Sequence, residues 1–204
     1  MKHPVIAVIG AGIIGSLIAR EIVSREPNAA VTVFDRDGVG AGATRRSAGV
    51  HFPRGSTERV RQMSAYSEDF YAELLRKDSS LPIYPLPMCV VLQPEASADL
   101  LERYLKRASL APAAGRMHAA VNTEGMTAWT GTGCQYADVY SLTQRIAHDI
   151  RPSVIFREGV TVTDLASTRK EVRLHLSTGE CMVADYAVLA PGPQGYGQSS
   201  SCCS

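Results

Sequence analysis

The chain has 204 residues, of which 45% are hydrophobic and 20% charged, and its formal charge is +1 at pH 7. This balance is typical of an ordinary globular protein and excludes an electrostatic case for nucleic acid or an anionic membrane as partner. No apolar run approaches the roughly 18 residues that suggest a membrane-spanning helix, so we predict no membrane span and a cytoplasmic location.

A complete β-α-β unit opens the chain. The apolar run Val5–Ile9 ends at a glycine and predicts a buried parallel strand. Ile13–Arg25 follows with apolar residues at helical spacing and stops before Pro27. Residues 31–34 form the second predicted strand, which ends at Asp35.

The next elements are less regular. Residues 38–49 are rich in glycine and small residues and predict a loop. A helix is predicted over residues 56–77 from the three- or four-residue spacing of Val60, Met63, Tyr66, Phe70 and Leu74. Tyr66, Phe70 and Tyr71 are expected to be packing residues. An extended, proline-rich connector then leads to a predicted strand at Met88–Leu92.

The second half of the chain predicts two further helices and several strands. The helices are predicted at residues 95–108 and 140–150, with an irregular region through residue 137 between them. Strands are predicted at residues 160–165, Val172–Leu176 and 187–190, and a turn separates the second of these from Cys181–Ala184. Five cysteines show neither a C-x-x-C pair nor a zinc spacing, so no metal site is predicted.

The strongest motif is G-x-G-x-x-G at Gly10, Gly12 and Gly15, placed between the first strand and the first helix. The first glycine allows the tight turn, and the second leaves room for a pyrophosphate. The third lets the helix pack closely on the strand, and the start of the helix attracts phosphate through its N–H groups. This arrangement predicts a dinucleotide site.

Asp35 lies 20 residues after Gly15, at the end of the second predicted strand. A carboxylate at this position accepts hydrogen bonds from an adenosine ribose and repels a 2′-phosphate, which argues against NADP. NAD and FAD both remain compatible with the G-x-G-x-x-G motif, called the fingerprint from this point. The glycine-rich stretch at residues 40–49 favours FAD, because a second close-approach loop can follow an extended pyrophosphate toward a flavin.

Taken together, VIGAGIIG, VFDRD, GATRRSAG, EGVTVTDL, VRLHLSTGE and ADYAVLAPG resemble the FAD-dependent oxidoreductases related to D-amino-acid oxidase, glycine oxidase and sarcosine oxidase. The resemblance covers about residues 4–193, the N-terminal half of such enzymes. It implies an α/β fold with a Rossmann-like FAD-binding domain of the glutathione-reductase-like, D-amino-acid-oxidase type. Part of a substrate domain would accompany it in a C-terminally truncated chain.

The resemblance also implies a set of FAD-binding residues. The fingerprint residues and Asp35 with Arg36 would bind the pyrophosphate and adenosine, the next loop the ribityl chain, and Val162 the adenine. Small residues near the end would close over the cofactor. The full set is Gly10, Gly12, Ile14, Gly15, Asp35, Arg36, Ala43, Thr44, Arg45, Ser47, Ala48, Gly49, Val162, Ala190 and Gly192.

Domain boundaries follow from the same resemblance. Residues 1–80 and 140–195 would form a discontinuous FAD-binding domain, residues 81–139 a partial substrate domain, and residues 196–204 a disordered tail. The relatives are about twice as long by resemblance, so a second chain or self-association is expected to complete the cleft.

The implied activity is oxidation of a small amine or amino acid by hydride transfer to flavin, for which no strong protein base is required. No catalytic residue can be named from the sequence. Arg45, Arg46 and His51 are the ionisable residues nearest the predicted flavin loop, and solvent-facing roles are at least as compatible with their positions. Two other interpretations stay open: a non-catalytic remnant or FAD-binding subunit, and an NAD-binding protein.

Overall fold

A parallel β-sheet organises one unit of the chain in the computed structural model, which describes residues 3–113 and 124–193. This first unit comprises residues 3–47 and 139–193, and a second unit comprises residues 48–113 and 124–138. The predicted tail at residues 196–204 lies outside the described residues.

The helices and strands are numbered along the chain. The first unit begins with β1 (Val5–Ile9), α1 (Ile13–Arg25) and β2 (Ala30–Asp35). The second contains β3 (Val50–His51), α2 (Glu58–Lys77), β4 (Ile83–Pro85), β5 (Met88–Leu92), α3 (Ser97–Arg103), β6 (Ala111–Pro112), β7 (Thr127–Gly131) and β8 (Gln135–Ala137). The first unit resumes with α4 (Val139–Ile150), β9 (Val154–Glu158), β10 (Val162–Ser167), β11 (Val172–Leu176), β12 (Cys181–Ala184) and β13 (Tyr186–Leu189).

The parallel sheet has the strand order β13-β1-β2-β9. Successive side chains of a strand point to opposite faces. Val8 and Val33 therefore pack with α1 and α4 on one face, where Ala19 and Ala147 are buried. Ala7 and Phe34 enter the other face.

That second face is covered by an antiparallel sheet in the order β10-β11-β12, which contributes Leu174, Leu176 and Ala184 to the core. The first unit is thus built of a helical layer, a parallel sheet and an antiparallel sheet. The predicted α/β, Rossmann-like fold class is confirmed by this architecture.

In the second unit, one antiparallel sheet has the order β3-β8-β4 and another the order β5-β7-β6. Residues 48–80, which the sequence assigned to the FAD-binding domain, lie in this unit because β3 pairs with β8. Which unit serves the cofactor and which the substrate stays a prediction.

Helix α2 begins at Glu58, close to its predicted start, and Thr57 caps it: the Thr57 Oγ1 accepts a hydrogen bond from the Val60 N–H at 3.3 Å. Of the residues expected to pack, Phe70 and Tyr71 are half-buried, but the expectation is wrong for Tyr66, which is exposed. Val60 and Met63 are exposed as well, whereas Leu74 is buried.

The helix predicted at residues 95–108 is also wrong in its second half. The backbone becomes extended at Tyr104, and the Leu105 N–H donates to the Pro53 carbonyl at 2.8 Å. Burial of the Tyr104 ring and this long-range hydrogen bond outweigh the local helical pattern.

Candidate functional site

The carboxyl ends of β1, β2 and β13 meet at one edge of the parallel sheet. Open α/β sheets bind their ligands at this edge. Gly10 follows β1, Asp35 ends β2, and Ala190 follows β13. The sheet therefore brings together three segments that are far apart in the chain.

Two glycines of the fingerprint, Gly10 and Gly15, occupy positions where a larger residue would collide with the backbone. Gly10 has a φ of 106°, and a Cβ there would lie 2.0 Å from the Ala190 carbonyl oxygen. A Cβ on Gly15 would lie 1.8 Å from the Gly10 carbonyl oxygen, so this glycine lets α1 pack against the end of β1. Gly12 differs, because its Cβ would meet only the Thr44 hydroxyl, at 3.0 Å.

The Asp35 side chain, at the end of β2, binds the backbone of the fingerprint turn and the backbone of the turn that follows β2. Its Oδ2 accepts a hydrogen bond from the Ala11 N–H at 2.8 Å, inside the fingerprint. Its Oδ1 accepts from the N–H groups of Asp37 at 2.9 Å and Gly38 at 3.0 Å. A carboxylate offers about four acceptor positions. Asp35 therefore orders the surrounding backbone and keeps capacity for a further donor such as a ribose hydroxyl.

Residues 38–47 follow β2 and form the second loop of the site, after the fingerprint turn, against which they fold back. The Gly40 N–H donates to the Ala11 carbonyl at 2.9 Å. The buried Thr44 hydroxyl accepts from the N–H of Ile13, the first residue of α1, at 3.0 Å. The predicted loop residue Thr44 thus supports the start of the helix that follows the fingerprint.

Two side chains that sequence reasoning missed hold the beginning of the second loop. Glu158, the last residue of β9, accepts a hydrogen bond from the Val39 N–H at 3.2 Å. Gln144 of α4 donates to the Val39 carbonyl at 2.7 Å. Glu158 pairs with Asp35 in the register of β2 and β9. It is also the first residue of the EGVTVTDL motif, which is the sequence feature that could have pointed to it.

The charge state of Glu158 is fixed by its neighbours. The Arg151 guanidinium lies 2.6 Å from Glu158 Oε1 and lowers the pKa of this carboxyl below its usual value of 4.5. Partial burial acts in the opposite direction, and the Val39 N–H lowers the pKa further. Glu158 is therefore a carboxylate at neutral pH.

The last strand supplies the third side of the site. The Ala190 N–H donates to the Ile9 carbonyl at 2.8 Å, which places Ala190 against the Gly10 turn. Gly192 has a φ of 70°, and a Cβ there would meet no atom within 4 Å. Val162 begins β10, next to an irregularity in the pairing with β11, and the nearby Val160 N–H donates to the Asp35 carbonyl at 3.0 Å.

The remaining predicted residues are mostly exposed. Ile14 is exposed in the first turn of α1, and Arg36 forms a surface ion pair with Asp37 at 3.2 Å. The guanidinium of Arg45 lies 5.2 Å from the centre of the Tyr140 ring, on α4. Also exposed are Ala43 and Ser47 of the second loop, and Ala48 of the second unit; Gly49 of the second unit is half-buried.

This geometry fits a dinucleotide. The Gly12 backbone is open to close approach, the start of α1 lies beside it, and an acid ends the neighbouring strand. These are the features that a pyrophosphate and an adenosine ribose require. A family model described as FAD dependent oxidoreductase matches residues 6–200.

The chain belongs to this family of FAD-dependent oxidoreductases. The match confirms both the family resemblance and the cofactor, FAD, that the sequence predicted. A comparison with curated proteins found no match.

Solved structures share the fold of this chain at low sequence identity. Glycine oxidase from Geobacillus kaustophilus has a TM-score of 0.73 at 18% identity, covering 92% of this chain and 55% of its own. L-amino acid deaminase from Proteus vulgaris has a TM-score of 0.76 at 14% identity, covering 93% of this chain and 47% of its own. The chain thus spans about half the length of these enzymes.

A third similar structure is L-alpha-glycerophosphate oxidase from Mycoplasma pneumoniae with FAD bound. Its TM-score is 0.71 at 13% identity, and the match covers 91% of this chain and 52% of the oxidase. Because its name refers to a glycerophosphate and not to an amine, the shared fold does not by itself define the substrate of a family member.

Two further observations describe the chain as a whole. None of the helices at residues 3–113 and 124–193 is long and apolar enough to cross a membrane. Within the same residues, no group of three or more His, Cys, Asp or Glu side chains is arranged to hold a metal ion.

Proposed function

We propose that this chain provides the FAD-binding part of an oxidase or dehydrogenase that acts on a small amine or amino acid. The observation that carries the proposal is the backbone cradle formed by Gly10, Gly12 and Gly15 beside Asp35, in a member of an FAD-dependent family. The chemistry supplied by bound FAD is acceptance of a hydride from the carbon next to the amine, after which the imine product hydrolyses.

In this proposal, residues of the chain bind and orient the cofactor. Gly12 and the start of α1 receive the pyrophosphate, and Asp35 receives the adenosine ribose. Thr44 keeps the second loop against α1, while Ala190 and Gly192 border the cofactor from the end of β13. The other predicted contacts of this proposal are Ile14, Arg36, Ala43, Arg45, Ser47, Ala48, Gly49 and Val162.

The class of substrate is supported by two of the similar structures, whose names refer to glycine and to L-amino acids. A small amine or amino acid is also the substrate class that the family resemblance implies. The cytoplasmic location, and a second chain or a second copy that completes the cleft, belong to the same proposal.

A second candidate is an FAD-binding subunit or remnant without catalytic activity. It requires only the fingerprint glycines and Asp35, which account for cofactor binding without a catalytic residue. An NAD-binding protein is the least favoured interpretation, because the fingerprint is followed by the second loop.

The test begins with the visible absorbance of the purified chain and with titration of the cofactor-free chain by FAD and by NAD. FAD binding without bleaching of the flavin by glycine, sarcosine or D-amino acids under anaerobic conditions supports the binding subunit. Bleaching by one of these compounds supports the oxidoreductase, and binding of NAD alone contradicts both.

A further inference from the structure

Val39, near the start of the second loop, has both of its backbone polar groups held by side chains from distant elements. Its N–H donates to Glu158 at 3.2 Å, and its carbonyl accepts from Gln144 Nε2 at 2.7 Å. These partners lie 119 and 105 residues away along the chain. Val39 itself is buried, and both hydrogen bonds are partly buried.

The held residue is directly connected to the fingerprint. The next N–H along the chain, that of Gly40, donates to the Ala11 carbonyl at 2.9 Å. Four residues later, Thr44 accepts the hydrogen bond from Ile13 at 3.0 Å. A displacement of Val39 would therefore be transmitted to the turn and to the start of α1.

Both holding side chains are themselves oriented by the fold. Glu158 uses Oε1 for Arg151, at 2.6 Å, and Oε2 for the Val39 N–H. Gln144 projects from α4, where its neighbours Thr143 and Ala147 are buried against the core. Tyr140, one turn earlier on α4, contacts the second loop as well, since a Cβ on Gly40 would lie 3.1 Å from its ring.

We propose that Gln144 and Glu158 are positioning residues for FAD. They act through Val39, by keeping the second loop in the conformation that receives the cofactor. This inference rests on the proposed function, because it assumes that the second loop lies beside bound FAD.

The expected effect follows from preorganisation. A loop that spends only a fraction of its time in the competent conformation weakens the apparent affinity by that fraction. The net contribution of one hydrogen bond changes the population of such a conformation by about 2- to 10-fold. We therefore expect Gln144→Ala and Glu158→Ala each to raise the Kd for FAD by about 2- to 10-fold.

The set of variants separates the acceptor function of Glu158 from its charge. Glu158→Gln keeps an oxygen that can accept from the Val39 N–H but loses the charge opposite Arg151. We therefore expect the Kd for FAD of Glu158→Gln to lie between the Kd of the wild type and that of Glu158→Ala. The matched control is Glu180→Ala, since Glu180 also pairs with an arginine, Arg157 at 2.6 Å, without contacting the second loop. Arg145→Ala, an exposed neighbour of Gln144, is the control on α4.

Three measurements on the full chain complete the test: the FAD Kd by fluorescence titration, the unfolding free energy, and amide hydrogen exchange of residues 38–47 without cofactor. Faster exchange in the second loop together with a raised Kd, for Gln144→Ala and Glu158→Ala but not for the controls, is the expected result. An unchanged Kd and unchanged loop exchange, with lower overall stability alone, would overturn the proposal. If the wild-type chain binds no FAD, the proposed function fails, and the exchange rates alone then decide whether Gln144 and Glu158 hold the loop.

Discussion

Asp35 has a structural role in addition to the ribose contact proposed for it. Its carboxylate accepts hydrogen bonds from the N–H groups of Ala11, Asp37 and Gly38, so it holds the fingerprint against the turn that begins the second loop. A substitution at this position will therefore change the cofactor-free chain as well as its affinity for FAD.

We expect Asp35→Ala to weaken FAD binding by about 1–3 kcal/mol and also to lower the unfolding free energy of the cofactor-free chain, because partly buried N–H groups lose their acceptor. Asp35→Asn should be milder, since one amide oxygen remains to accept hydrogen bonds. Titration calorimetry and urea unfolding measure the two effects. Asp37→Ala, an exposed acid two residues away, is the control. Equal FAD affinity of Asp35→Ala and the wild type would contradict the ribose role.

The fingerprint glycines should separate folding from binding. Gly12 has an ordinary φ of −69°, and a Cβ there meets only the Thr44 hydroxyl, so Gly12→Val should act mainly by occupying the space of the pyrophosphate. Gly10→Ala should instead destabilise the fold, because its φ is 106° and its Cβ would collide with the Ala190 carbonyl.

The measurements for this prediction are the flavin content of the purified variants and their melting temperatures. Gly42→Ala serves as the control, because a Cβ there has no atom within 4 Å. A normal flavin content in Gly12→Val would refute the assignment of the pyrophosphate site.

Among the elements, β9 shows why part of the site could not be predicted from the sequence. Its residues Val154 and Phe156 contribute to the core, but Ile155 is exposed and the strand ends in Arg157 and Glu158. Such a short, partly charged segment has no clear local signal, and its pairing with β2 is a long-range contact. The role of Glu158 was missed because it depends on that contact, and the role of Gln144 was missed because its partner Val39 lies 105 residues away along the chain.

The fingerprint region was predictable because its local signals agree with its tertiary environment. The helix predicted at Ile13–Arg25 has those bounds in the structure, and β1 likewise matches its predicted range. In α2 the helical period was read correctly, but periodicity does not reveal which apolar side chains find partners. The exposure of Met63 and Tyr66 could therefore not be predicted from the helical period.

The junction of β9 with the second loop should make the fold sensitive to acid. The pKa of Glu158 is lowered in the folded chain, chiefly by Arg151, so the carboxylate contributes stability at pH values above its unfolded pKa. That contribution is lost as the pH falls from about 4.5, the ordinary value, through the lower folded pKa. We therefore expect the stability difference between the wild type and Glu158→Gln to shrink as the pH decreases from about 6 to about 3.

Urea unfolding of both proteins at each pH measures this difference. Because Glu158 is partly exposed, solvent reduces the size of the effect, and the direction of the change is the decisive result. A difference that stays constant, or grows, as the pH decreases would contradict a lowered pKa for Glu158.

For the molecule as a whole, the parallel sheet presents apolar side chains on both faces of β13. Tyr186 and Leu189 are each 63% exposed, although Ala187 and Val188 between them pack into the two core layers. Within the described residues β13 lies at the edge of the sheet, and edge strands with exposed apolar side chains favour association.

From the exposed edge of β13 we expect the chain to associate with itself or with a second polypeptide, and we propose that turnover of glycine, sarcosine or D-amino acids depends on that association. Oxygen consumption and anaerobic flavin reduction test the activity, and light scattering over a range of concentrations tests the association. Replacing Tyr186 and Leu189 by Lys should reduce association if β13 is the contact, whereas Ile155→Lys, an exposed apolar residue at the other edge, is the control. Turnover by a monodisperse monomer would contradict both expectations, and activity that appears only with a co-purifying polypeptide would support an enzyme assembled from two chains.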